Sequence, residues 1–167
     1  MRRLLLPCLL LTVLPAMASD PVPEIKRAEA TPQANGVVHT VRQIPETCAR
    51  IEGVFTGQAA EPYKFSVVRI SPTCQPRARL VDAAKAKPSE ADGWKFNDLI
   101  RIPSAACPSQ QAVVRIWRRS VDQTQKLDGQ GQSRIYLEEA KKTAAAGKLP
   151  AVPMFAAEMG VEGKACP

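Results

Sequence analysis

His39 is the one histidine in this 167-residue chain, so any Ser–His or Cys–His nucleophilic pair has to use it. No serine sits in a G-x-S-x-G turn. His39 shares strand parity with Val37 and Val41, which suits a structural histidine. Asp92 and Asp98 flank Trp94 and Phe96, the types of residue that place acids beside a sugar-stacking ring. A small secreted hydrolase using Asp92/Asp98 with His39 is the enzymatic reading. Against it, Asp98 has the parity of Trp94, Phe96, Ile100 and Ile102, whereas Asp92 falls in a turn. Asp122 and Asp128 match no calcium-loop spacing, and Gly129 and Gly131 are followed by no Lys-Ser or Lys-Thr step.

A second pattern concerns binding. Between Pro62 and Arg119 basic residues outnumber acidic ones eleven to four, in a chain of net charge +7. Val113, Arg115, Trp117 and Arg119 alternate, so a regular strand sends them to one face. Arg77 with Arg79, and Lys95 with Arg101, offer similar ladders from neighbouring strands. Guanidinium groups beside an indole suit a flat anionic or sugar ligand through paired hydrogen bonds and stacking. The plainer reading is a solvated basic face whose tryptophan is covered by the C-terminal part of the chain.

Five cysteines complete the reactive inventory. Cys8 lies in an apolar run, Leu4 to Leu14, that follows Arg2-Arg3 and precedes Ala16-Met17-Ala18. That is the architecture of a signal peptide, with the mature chain beginning at Ser19. Cys48, Cys74, Cys107 and Cys166 then enter an oxidising compartment as an even set. If Phe55 to Tyr63 closes a hairpin, Cys48 lies opposite Ile70, close to Cys74. The preferred pairing is therefore Cys48–Cys74 with Cys107–Cys166. No pair has C-x-x-C spacing and one histidine is too few, so neither zinc nor any cofactor is expected.

These residues need elements to position them. Val37–Arg42, Cys48–Thr56, Tyr63–Ile70, Arg77–Ala83, Trp94–Ile102 and Ala112–Arg119 read as strands, with Gly57 to Pro62 and Pro103 to Pro108 as loops. Ser133 to Gly147 reads as a helix over about 134–146, with Glu138 and Lys142 paired, Gly147 at the C-cap and Pro150 as the stop. The remainder reads as an irregular tail. The expected class is mainly β (α+β), an antiparallel β-sandwich or barrel of about six strands with one C-terminal helix and two disulfides. The expected organisation is a signal peptide at 1–18, a disordered leader at 19–35, and one β-rich domain at 36–167. The leader has no aromatic residue and carries Pro21, Pro23 and Pro32.

Together these features predict a secreted or periplasmic product without a membrane span. Its expected role is a non-catalytic binding or inhibitory module. It would contact an acidic protein or an anionic envelope polysaccharide, rather than nucleic acid, through Arg77, Arg79, Arg101, Arg115, Trp117 and Arg119. The remaining alternative is a structural subunit of a cell-envelope assembly, with the leader as its docking peptide.

Overall fold

Among the described residues, runs of β-branched and aromatic residues broken by Gly and Pro produce seven strands in two sheets. The structure, a computed structural model, describes residues 21–121, 142, 145–147 and 152–166. The first sheet has the order β1-β2-β3, all antiparallel, with β1 His39–Ile44, β2 Ala49–Phe55 and β3 Tyr63–Arg69. β2 is the central strand, and its burial alternates at every residue. The hairpin closes with Phe55 opposite Tyr63, and the Ile70 N–H donates to the Cys48 carbonyl at 3.0 Å.

The second sheet runs β4-β7-β6-β5, with β4 Arg79–Asp82, β5 Trp94–Pro103, β6 Gln110–Arg119 and β7 Met154–Gly163. β7 corrects the expectation of an irregular tail. It pairs with β6 at all ten positions and runs parallel to β4. Its Ala, Met, Glu and Gly residues have little intrinsic strand preference, so its conformation is set by the neighbour on each side. The sheets do not close into a barrel: β3 and β4 are edge strands. A short helix, α1 (Ala83–Ala86), opens what reads as a polar connection, capped by the Asp82 carboxylate. The helix expected at about 134–146 lies almost entirely outside the described residues. So do the signal-peptide segment and its cleavage site.

One apolar cluster joins the sheets. It takes Ile44, Ile51 and Phe55 from the first, and Ile102, Val114 and Ile116 from the second. Each such side chain contributes about 1.5–3 kcal/mol when withdrawn from water. A smaller cluster on the other face of the second sheet contains Trp94, Phe96, Trp117 and Ala156, joined by Ala83 and Ala86 of α1. Disulfides connect Cys48 to Cys74 and Cys107 to Cys166, with Cα separations of 5.8 and 5.6 Å. Both match the preferred pairing, the first read from the hairpin register and the second left by it. Two disulfides fit an oxidising compartment, and no described helix is long and apolar enough to cross a membrane.

Residues 21–35, expected as a disordered leader, lie along the outer edge of β5. The amides of Glu24, Ile25, Ala30 and Gln33 donate to the carbonyls of Phe96, Asn97, Arg101 and Pro103 at 2.8–2.9 Å. Isolated parallel bridges join Ile25 to Asp98 and Gln33 to Ser104. A strap that pairs on one side only tolerates Pro21, Pro23 and Pro32, because those positions need no second ladder. Composition alone undervalued this segment, since its stabilising partners are all distant in sequence.

A bulge falls in β5 opposite β6, between Phe96 and Asp98. The extra residue, Asn97, reverses the alternation. Trp94 and Phe96 therefore join the small cluster, while Ile100 and Ile102 enter the core between the sheets. The expected common parity of Asp98 with Trp94 and Phe96 does not survive this insertion. The Lys95–Arg101 ladder fails for the same reason: Lys95 pairs beside Arg118, and Arg101 beside Val113 on the opposite face.

Candidate functional site

β6 is regular along its whole length against β7, so Val113, Arg115, Trp117 and Arg119 do share one face. What they meet there differs along the strand. Trp117 packs on Phe96 with ring centroids 5.0 Å apart and is only 8% exposed. The expectation of an accessible indole between two arginines is thus corrected: Trp117 belongs to the apolar cluster that α1 joins. Its neighbours in the same cross-strand row are Phe96 on β5 and Ala156 on β7. Arg115 donates to Glu162 on β7 at 3.2 Å, and Arg101 lies 3.8 Å from the other oxygen of that carboxylate. Two of the expected anion-binding arginines therefore already share an internal carboxylate.

The end of this face is different. Arg79 of β4 pairs with Met154 of β7, Met154 with Arg119 of β6, and Arg119 with Trp94 of β5. Residues in one such row project to the same side. Arg79 and Arg119 are thus two strand spacings apart, about 10 Å, with Met154 between them. Both are exposed, as is Arg77 two residues before β4. None of the three forms an ion pair with a described carboxylate. The segment carrying Arg77 is held in place by main chain, with the Arg77 and Ala78 amides donating to the Glu46 carbonyl at 2.7 and 2.9 Å. The arrangement presents planar, always-charged forks that match a carboxylate or phosphate.

The residues of the hydrolase alternative are seated separately. Asp98 is fully buried, with Arg27 Nε 2.9 Å from each carboxylate oxygen and Arg42 Nε 3.4 Å away. Asp92 accepts the Ser89 hydroxyl in the turn before β5. His39 meets the Val37 carbonyl through Nδ1 and the Tyr63 hydroxyl through Nε2, at 3.2 and 2.9 Å. Burial holds the imidazole below its usual range, opposed by the Val37 carbonyl, and burial pushes the Tyr63 phenol up.

A polar seam was not visible in the sequence. Glu24 in the strap accepts from Arg118 at 2.7 and 3.1 Å and from Asn97 at 2.8 Å. The Arg118 bonds, more than the opposing burial, lower the Glu24 carboxyl below its ordinary value. Arg118 and Arg27 are thereby spent on anchoring the strap. Among the described residues no group of His, Cys, Asp and Glu is arranged to hold a metal ion. Comparisons of the chain with family models, curated proteins and solved structures found no match.

Proposed function

We propose that this chain is a non-catalytic, exported binding module whose exposed arginines Arg77, Arg79 and Arg119 take an acidic partner. The single observation carrying the reading is the row Arg79–Met154–Arg119, in which two exposed guanidinium groups flank an apolar residue on one sheet face. Surrounding arginines are engaged by Glu24, Asp98 and Glu162, so the local charge excess concentrates in this end row. Such a cluster raises the nearby concentration of anions and orients carboxylates by paired hydrogen bonds.

The test is a titration of the full chain with polyglutamate and with a sulfated polysaccharide at low and high salt. Binding through the cluster weakens steeply as salt rises. Arg79→Glu with Arg119→Glu loses about tenfold or more in affinity, since two rim contacts become repulsions and about 1.4 kcal/mol is a factor of ten. The same change made at Arg101 and Arg115 is the control. An Arg79/Arg119 variant that binds as well as the parent would overturn the assignment.

A further inference from the structure

The edge of the first sheet carries an inconsistency between pattern and burial. Tyr63, Phe65 and Val67 of β3 stand opposite Phe55, Gly53 and Ile51, and so share the core-facing side of their sheet. Tyr63 is 2% exposed, as that side requires, yet Phe65 is 38% and Val67 50% exposed. The apolar alternation of β3 continues past the point where the second sheet covers it. The groove left between β3 and β4 has a volume of about 480 Å³. Its walls are Val67 and Val68 on one side and Leu80 and Val81 on the other, over a floor of Ala49 and Ala78.

The main chain of β3 is open at the same residues. Hydrogen bonds from Ile70 N–H to the Cys48 carbonyl and from Thr56 N–H to the Pro62 carbonyl fix the phase of the ladder. In an antiparallel pair the bonded positions alternate, so Lys64, Ser66 and Val68 face β2. The N–H and C=O groups of Phe65, Val67 and Arg69 point away from it, and β3 is an edge strand. Exposed apolar side chains and unused ladder groups therefore coincide, which is the requirement for adding a strand.

Charge selects the occupant. The charged residues lining the groove are Arg69 and Arg79, and no carboxylate lines it. Both are exposed, but Arg69 is held by the carbonyls of Ser71, Pro72 and Cys74, so Arg79 is the cation open to a ligand on the rim. A second copy of this chain pairing through β3 would put a second Lys64 and Arg69 on the same short ladder, which like-charge repulsion disfavours. We propose that β3 is the docking edge for an extended peptide segment whose groove-facing residues, every second one, are apolar except for one acidic residue at the Arg79 end. The segment adds to the first sheet as a fourth strand, its apolar side chains enter the groove, and a carboxylate reaches Arg79. This rests on the acidic-partner reading above and names the form that partner takes.

The probe is a short, end-blocked synthetic peptide with valine at every second position, threonine between them and glutamate in place of the last valine, titrated into the full isotope-labelled chain. The expected result is saturable shifts and slowed hydrogen exchange at the amides of Phe65, Val67 and Arg69. Methylating alternate peptide nitrogens removes the effect, because the added strand loses its donors. Val67→Lys, at a half-exposed position, weakens binding about tenfold without changing the melting temperature. No perturbation of β3, or equal binding by the N-methylated peptide, overturns the proposal. So does a dimer of the chain alone that protects the same amides. If polyglutamate still binds through Arg79 and Arg119 while β3 stays unperturbed, this inference fails and the acidic-partner reading stands.

Discussion

Nε of Arg27 lies 2.9 Å from both carboxylate oxygens of Asp98, a residue 71 positions away that has no exposure to solvent. The contact joins the N-terminal strap to the residue that follows the β5 bulge. It also reaches the first sheet, because Arg42 of β1 lies 3.4 Å from the same carboxylate. Three parts of the molecule therefore meet at one buried charge. A carboxylate in that place is tolerable only because two guanidinium groups face it.

Removing Asp98 should cost more than removing either surface-facing partner. Asp98→Ala leaves Arg42, whose side chain is 21% exposed, without its counter-charge and removes one anchor of the strap. The expected loss is about 3 kcal/mol, the range for breaking a buried pair. Arg27 is 39% exposed, and Arg27→Ala removes both hydrogen bonds to the buried carboxylate but leaves Arg42 facing it, so it should lose less, about 1–2 kcal/mol. Denaturant unfolding of both variants checks the order. Equal losses would mean that Asp98 is not the centre of this contact.

The parts of the fold legible in the sequence are those set by local spacing. Phe55 and Tyr63 bracket a loop of turn residues, and the register that follows places Cys48 beside Ile70 and hence near Cys74. β5 reads as a strand, but nothing in WKFNDLIRI marks Asn97 as a bulge, so the side on which Asp98 and Arg101 lie was not recoverable. The strap and β7 are formed by partners far along the chain, and their own residues have weak strand preference. The same holds for the candidate site. Arg79 and Arg119 meet across Met154 only through a parallel β4–β7 pairing that no local pattern encodes. Arg115 and Trp117 share a face as the alternation predicts, but their burial and pairing depend on Phe96 and Glu162.

Gly53 is required by a close approach. A Cβ at this position would collide with the Tyr63 ring and hydroxyl, which reach it from the neighbouring cross-strand pair. Tyr63 is itself fixed by Phe55, at a centroid distance of 4.7 Å, and by His39. Gly53→Ala should therefore destabilise by about 1–3 kcal/mol, the usual cost of forcing extra volume into a packed core. A melting temperature equal to that of the parent would show that the ring yields freely.

The two disulfides should contribute unequally. They close sequence separations of 26 and 59 residues. In the chain-entropy model these correspond to about 3.5 and about 4 kcal/mol. Replacing Cys107 and Cys166 by serine should thus lower stability at least as much as replacing Cys48 and Cys74. Intact mass after alkylation without reduction should show no added group on the chain that begins at Ser19, which lacks Cys8. Addition at any of the four sulfurs would contradict the pairing.

Stability should fall as the solution is acidified, in two separable stages. Burial lowers the His39 pKa from 6.5, so between the folded value and 6.5 the unfolded chain binds the extra proton. The folded state therefore loses stability as pH drops through about 6.5, down to the folded value, and gains none from His39 protonation. Glu24 acts lower on the scale. Arg118 and Asn97 depress its carboxyl below 4.5, and the stability it supplies is present above 4.5 and lost as pH falls through its folded value. His39→Gln keeps a partner for the Tyr63 hydroxyl without titrating, and should flatten the first stage only. Glu24→Gln should remove the second and loosen the strap at every pH. Urea midpoints measured from about pH 7 to about pH 3 resolve the two. A His39→Gln variant with the parent's slope near pH 6 would show that the imidazole is not the group responsible.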